Sequence, residues 1–354
     1  MSHPKKLLVT GAGGFIGGRV VEGCHLSGSY DVRAGIRRWA SAARLARFPV
    51  EIALCDVLDE AQVRDAIQGV QAVVHCALGD DEVTIQGTRQ MLQAAHQHGV
   101  ERFIHISTVE VYGDVSGELD ETAPYRDNAD EYGRMKIEAE KIAWQYHDKG
   151  LPVCVIRPSV VYGPFSKFNT IRFAHRLQSG RWGLFKGYGE GICNLVYVDD
   201  LVLGVMAALE RDEAVGEAFN ISGPDQTTWN GYIEALNEAL GLGPLREIDL
   251  LAIKSRSMLL MPVRETARML LAKHRDRIMK IYERYDLAKK LMKRTETSLK
   301  TTPTPQELKL YNRRAAYPIA KAKQRLGYEP RFDMRRGLEM SVRWLAHHGL
   351  ASGR

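Results

Sequence analysis

A phenol and an ammonium four residues apart, in the run Tyr132-Gly-Arg-Met-Lys136, form the pair on this chain best suited to moving a proton. On a helix that spacing puts both on one face, one turn apart. A strand-like run upstream ends in Ser107-Thr108, which brings hydroxyls to the same neighbourhood. Near the N-terminus, Thr10-Gly-Ala-Gly-Gly-Phe-Ile-Gly17 follows the apolar run 6–10 and opens a helical pattern. Its glycines at 11, 14 and 17 let backbone approach a pyrophosphate, whose charge sits at the helix N-terminus. A dinucleotide site plus a Tyr/Lys pair is equipment for hydride transfer to or from a carbonyl or alcohol carbon. Each signal alone is weak, because glycines serve any tight turn and Tyr-x-x-x-Lys arises on solvated helix faces. Their order along the chain and their strand–helix setting give them weight.

These residues need a scaffold, and the first half of the chain supplies one. Strand-like runs at 6–10, 31–36, 50–54, 70–76, 102–107 and 152–156 alternate with helical patterns near 14–27, 60–68, 83–98 and 131–149. This alternation predicts an α/β fold, a doubly wound parallel (Rossmann) sheet with helices on both faces. After Arg157-Pro-Ser the rhythm loosens into a helix near 168–179, a glycine-rich stretch at 180–191 and a strand-like run at 194–198. A helix at 199–211 and the run 217–221 could return to the main sheet, and 229–240 reads as helical. The expected division is a dinucleotide-binding domain over 1–165, completed by about 195–222. A smaller substrate lobe takes 166–194 and 223–354.

The chain has 354 residues, 45% apolar and 26% charged, ample for a buried core. It has no apolar run of the roughly 18 residues that a membrane-spanning helix needs, and its N-terminus leads straight into the first strand, so neither span nor signal peptide is expected. The cysteines at 24, 55, 76, 154 and 193 are scattered without C-x-x-C spacing, which predicts reduced thiols in a cytoplasm and no metal site. The net charge of +6 is uneven: residues 250–316 hold 17 Lys/Arg against 6 Asp/Glu, a local +11, and the remainder carries −5. In this basic segment apolar residues interleave with arginines and lysines, and 278–291 suggests an amphipathic helix. A lid, a dimer or partner surface, and a helix resting on anionic lipid compete there with a packed subdomain bearing a solvated basic face. Nucleic acid is not an expected partner, because aromatic interleaving and a recognised binding fold are lacking.

The residues resemble the extended short-chain dehydrogenase/reductases, the NAD-dependent epimerase/dehydratase family, over about 1–240 and again at 317–348. The matching pieces are TGAGGFIG (10–17), VVHCA (73–77), GTRQMLQAA (87–95), RFIHISTVEVYG (102–113), YGRMK (132–136), RPSVVYGP (157–164), NLVYVDDL (194–201) and RLGYEP (325–330). The resemblance implies Tyr132 as general acid/base, its phenol brought below the free value of about 10 by the cationic Lys136 and nicotinamide. Lys136 would also hold the nicotinamide ribose, and Thr108 would hydrogen-bond the substrate oxygen. The pyrophosphate would lie on Gly11, Gly13, Gly14, Phe15, Ile16 and Gly17. Asp56, with Val57, would receive the adenine; a turn role explains Asp56 equally well. Cys76 and Ala77 would line the cofactor, and Pro158 would lie near the nicotinamide amide. A homodimer is also implied.

Cofactor choice rests on the end of the second strand, where NAD proteins usually place an acid. Here the run Val32-Arg-Ala-Gly-Ile-Arg37-Arg38 has none. It resembles the NADPH-using dihydroflavonol-reductase branch, where a base matches Arg37 and another stands at Arg44. NADP(H) is therefore expected, with NAD(H) the alternative.

Several positions depart from the sugar-nucleotide members. Val160 and Cys193 stand where an Asn and an Arg hold the sugar nucleotide, and neither binds a diphosphate by charge. Lys167, Arg172, Arg176, Arg181 and Lys186 nearby could compensate, or simply form a solvated face. Glu110 matches a Glu that acts near the sugar in several dehydratases and decarboxylases. Val109 replaces the acid of the dTDP-glucose dehydratases, and Thr84 replaces a structural Asn. Three functions follow: an NAD(P)-dependent oxidoreductase acting on a hydroxy or keto compound; a nucleotide-sugar epimerase, dehydratase or decarboxylase with recycled NAD and Glu110 as additional base; and a non-catalytic NAD(P) sensor. The intact Thr108, Tyr132 and Lys136 favour an enzyme.

Overall fold

The computed structural model describes residues 4–249, Pro262, Thr266 and 303–351. The suggested amphipathic helix in the basic segment lies outside the described residues. Seven strands form the main sheet: β1 (Lys5–Thr10), β2 (Tyr30–Ile36), β3 (Glu51–Leu54), β4 (Ala72–His75), β5 (Arg102–Ile106), β6 (Val153–Pro158) and β7 (Ala218–Ile221). Their order is β7-β6-β5-β4-β1-β2-β3, with every pairing parallel. The short run 217–221 thus returns to the sheet beside β6. Chain order reverses between β1 and β4, and ligands of such sheets bind where the strands' carboxyl ends meet that reversal.

Alternate strand residues bury opposite faces. Leu7, Val9, Ile104 and Ile156 pack with Val20, Val21 and Cys24 of α1 (Phe15–Ser27). Leu8, Val73, Phe103 and Val155 face Ile67 of α2 (Glu60–Ile67), Met91 and Leu92 of α3 (Gly87–Gln97) and Ile142 of α4 (Glu131–His147). Each such side chain contributes about 1.5–3 kcal/mol by leaving water, which explains why these strands are nearly continuous apolar runs. Asp59 caps α2 through the amides of Ala61 and Gln62 at 3.0 and 3.1 Å. The helix expected at 83–98 starts as a wider π turn, Glu82–Gln86, before α3. Thr84 supplies a structural contact there, its hydroxyl 3.3 Å from both the amide and the carbonyl of Gly79.

Two compact units emerge. The first comprises 1–170, 194–226 and 315–341; the second comprises 171–193, 227–314 and 342–354. Residues 315–341 therefore cluster with the sheet, although the sequence reading assigns 223–354 to the substrate lobe. Three contacts explain the difference. Ala315–Ala316 pairs with Gly117–Glu118. Ala322 and Leu326, on the helix Ala320–Leu326, join the core beside Phe219 and Ile221. The carboxylate of Asp200 accepts the amides of Arg331 and Phe332 at 2.8 and 3.0 Å. The second unit holds α5 (Arg172–Gln178) and an aromatic group in which Phe173 stacks on Trp229 and Trp182 meets Phe185 edge-on. Among the described residues no helix is long and apolar enough to cross a membrane.

Candidate active site

The turn after β1 is shaped by bare backbone. Gly11 has φ 62°, and a Cβ there would lie 2.8 Å from the Cys76 carbonyl and 2.9 Å from the Ala77 amide nitrogen, at the reversal point between β1 and β4. A Cβ on Gly17 would lie 2.4 Å from the Gly11 carbonyl oxygen, and one on Gly13 would lie 2.5 Å from the Ser41 Cβ. Gly14 caps α1 without a side-chain hydrogen bond, and the first turn has no acid. Phe15 and Ile16 anchor the turn on the core beneath. A helix start free of side-chain caps and acids, beside a cradle that a methyl group would fill, fits a pyrophosphate.

The residues around this turn divide by what they touch. Arg37 and Arg38 are exposed beyond β2, and neither guanidinium has a partner among the described residues. Arg44 instead turns inward, donating to the carbonyls of Gly14 and Phe15 at 3.1 and 3.2 Å and stacking 3.9 Å above Phe165. Burial lowers its guanidinium to about 10, and these contacts commit it to packing. Asp56 accepts the Leu58 amide at 3.2 Å, a contact within the turn after β3. Val57 is buried against Gly87, where a Cβ would approach it to 2.4 Å.

Tyr132 and Lys136 lie one turn apart at the start of α4, whose cap is Asp130 accepting the Gly133 amide at 2.8 Å. Gly133 lets this helix close on the turn Val109–Tyr112; a Cβ there would lie 2.7 Å from the Glu110 carbonyl oxygen. Thr108 caps that turn, its hydroxyl accepting the Glu110 amide at 3.2 Å. Burial pushes the Tyr132 phenol up to about 12; a hydrogen bond with Thr108 opposes this, while the Glu110 and Asp130 carboxylates add to it. Lys136 is buried, 4% exposed, and donates to the Ile106 carbonyl at 2.7 Å. Its burial lowers the ammonium to about 8.

The expected lowering of the phenol by Lys136 is therefore not a property of the protein alone. The ammonium points to the Ile106 carbonyl, and desolvation governs Tyr132. Pro158 is buried at the end of β6, in register with Ile221. Cys193, in the second unit, is wholly buried, whereas Val160, in the first, is partly exposed.

Two histidines below the site escaped the sequence reading. His75 on β4 lies 2.8 Å from the Thr10 hydroxyl and 3.1 Å from that of Thr88. His105 is its register partner on β5, stacked at 5.9 Å, and among the described residues neither ring nitrogen of His105 has a hydrogen-bond partner. Burial and the Lys136 charge hold His75 near 3 and His105 well below its ordinary value. The only signal in the sequence was a polar residue within each apolar run. Among the described residues no cluster of three or more His, Cys, Asp or Glu could hold a metal.

The profile of the NAD-dependent epimerase/dehydratase family matches residues 7–222. The chain is similar to a UDP-glucose 4-epimerase of Vibrio cholerae, 29% identical over 64% of this chain and 73% of that protein. It is 26% identical to a 3β-hydroxysteroid dehydrogenase/decarboxylase of Arabidopsis thaliana, over 84% of this chain and 67% of that one. A dTDP-glucose 4,6-dehydratase structure from Streptomyces venezuelae shares the fold, with TM-score 0.72, 24% identity and coverage of 98% and 99% of the two chains. With more than half its length matched by that profile, the chain belongs to the NAD-dependent epimerase/dehydratase family and is an enzyme of the extended short-chain dehydrogenase/reductase type.

Proposed function

We propose that this enzyme interconverts a secondary alcohol and a ketone, with Tyr132 handling the proton. The observation that carries this reading is that the turn opened by Thr108 and the first turn of α4, bearing Tyr132 and Lys136, close on each other at the bare Gly133. When bound, the nicotinamide supplies or accepts the hydride. With its phenol near 12, Tyr132 is protonated at neutral pH, the form that donates to a carbonyl oxygen during reduction. Thr108 orients that oxygen. Lys136 spends one of its three N–H donors on Ile106, leaving two for the ribose hydroxyls. Glu110 adds negative charge beside Tyr132 and holds its proton until the cofactor's cation opposes it.

The unpaired Arg37 and Arg38 support NADP(H) over NAD(H), because guanidinium forks match a 2′-phosphate. Val160, partly exposed where sugar-nucleotide members carry an Asn, supports an apolar hydroxy or keto substrate, in keeping with the steroid-dehydrogenase relative. The second reading is a sugar nucleotide with recycled NAD. It is favoured by Glu110 beside Tyr132 and by the epimerase relative. The five free cysteines support a reducing compartment, the cytoplasm. The implied homodimer is a matter for sedimentation.

Tyr132→Phe is the test. Against a panel of ketosteroids, other ketones and UDP- and dTDP-sugars, it should abolish turnover and keep cofactor affinity within about threefold, since only the transferable proton is lost. Full retained turnover would sink the assignment. Activity confined to the sugar nucleotides, with NAD retained through purification, would establish the second reading.

A further inference from the structure

Beneath Tyr132 and Lys136, α4 buries a third polar side chain. Glu140, one turn beyond Lys136, is fully buried. Arg157, immediately before Pro158, meets its carboxylate with Nε at 3.1 and 3.2 Å and Nη2 at 2.7 Å. The Tyr125 hydroxyl donates to the same carboxylate at 2.8 Å and receives the Trp144 indole N–H at 3.1 Å. Arg157 Nη1 donates to the Tyr112 hydroxyl at 2.9 Å, which in turn donates to Asn220 Oδ1 on β7 at 2.8 Å. Tyr112 ends the turn that Thr108 opens. One buried network thus ties together the three segments that present Thr108, Tyr132 with Lys136, and Pro158.

A buried ion pair adds little to stability compared with well-packed apolar residues of the same size, so packing alone does not account for this one. The surroundings of Lys136 do. His75 on β4, His105 on β5 and Cys76 after β4 all face it, and burial keeps each of them uncharged. Tyr132 on its own helix is a neutral phenol. Against the burial that lowers Lys136, Cys76 and then Glu140 act to raise it; with the Cys76 thiol held neutral, Glu140 is the charged one of the two, and the Arg157 cation binds its carboxylate to β6. A carboxylate close to an ammonium in a low-dielectric interior favours the charged form.

We propose that Arg157–Glu140 is a positioning pair for Lys136: it locks α4 to the ends of β5 and β6 and holds a carboxylate one turn from the ammonium, so that Lys136 meets the cofactor ribose as a cation. The proposal rests on the reading of Lys136 as the ribose-holding group, and the experiment separates the two. NADH affinity is measured by fluorescence between pH 7 and 10 for the wild type, Lys136→Met, Glu140→Gln and the double variant Glu140→Gln/Arg157→Gln, which leaves no unpaired buried charge. In the wild type, affinity should fall as pH rises through the Lys136 titration. The fall should be absent in Lys136→Met. In both Glu140 variants it should move to lower pH by roughly half a unit or more. If Glu140→Gln does not fold, the double variant carries the comparison. A fall that vanishes in Lys136→Met but stays at the wild-type pH in the Glu140 variants overturns the positioning pair and leaves the Lys136 reading intact. A fall that persists in Lys136→Met overturns the Lys136 reading and the pair with it.

Discussion

Gly17→Ala puts the glycine turn under direct strain. Gly17 lies inside α1, where alanine is favoured over glycine by about 0.8–1 kcal/mol, so propensity alone predicts a more stable protein. The structure predicts the reverse. The new Cβ would sit 2.4 Å from the Gly11 carbonyl oxygen, whereas ordinary contact begins near 3.4 Å, and both partners are backbone. Helix and turn must separate by about 1 Å, the difference of those two distances. A shift of that size breaks one or two charge-assisted amide–phosphate bonds worth about 1.5–3 kcal/mol each, which corresponds to a loss of NADH affinity of at least tenfold. The assay is fluorescence titration with NADH, with Gly28→Ala as control. Gly28 has φ 69° and open space around a Cβ, so that change should cost about 1 kcal/mol of stability and leave binding untouched. Wild-type NADH affinity in Gly17→Ala would refute the placement of the pyrophosphate on this turn.

Arg37→Ala/Arg38→Ala should weaken NADPH by about 10- to 100-fold and leave NADH within about threefold, read by parallel titrations; equal losses for both would remove the 2′-phosphate argument. Lys136 is held near 8, below its ordinary 10.5, so between those values the unfolded chain binds more protons and stability must rise with pH, by about 3 kcal/mol in all. Chemical denaturation of the wild type and Lys136→Met from pH 7 to 10.5 should show this rise only in the wild type. His75 gives the acid counterpart: held near 3 against 6.5, it must cost stability as pH falls through that window, at up to about 1.4 kcal/mol per pH unit. His75→Asn should flatten that slope in thermal melts between pH 6.5 and 4; an unchanged slope would mean that the ring is not held neutral.

The sheet was legible because burial on both faces writes nearly unbroken apolar runs, and the six runs of the first half correspond to β1–β6 within about two residues. The glycine turn was legible because only glycine tolerates such close approach, as Gly11 and Gly17 show. What stayed hidden depends on contacts across long stretches of chain. Arg44 looks like any loop base until its guanidinium is seen on the Gly14 and Phe15 carbonyls. Glu140 and Arg157 are 17 residues apart and carry no local mark of their pairing. The spacing of Tyr132 and Lys136 suggests acidification of the phenol, whereas in the folded protein the ammonium donates to the Ile106 carbonyl and burial dominates at Tyr132. Charge, read along a sequence, gives no direction in space.

The return of residues 315–341 to the sheet unit bears on the order in which the chain can fold during synthesis. Strands β1–β6 emerge first and can pair as they appear, but the apolar side chains of β7 stay uncovered until the far segment arrives. Until then Phe219 and Ile221 lack Ala322 and Leu326, the buried Asp200 carboxylate lacks the amides of Arg331 and Phe332, and the Ser222 carbonyl lacks the Tyr328 hydroxyl at 2.9 Å. The nascent enzyme therefore carries an exposed apolar seam for the time taken to add roughly a hundred residues, several seconds at ordinary translation rates. A chain stopped at residue 314 would keep that seam permanently and become a substrate for chaperones and proteases.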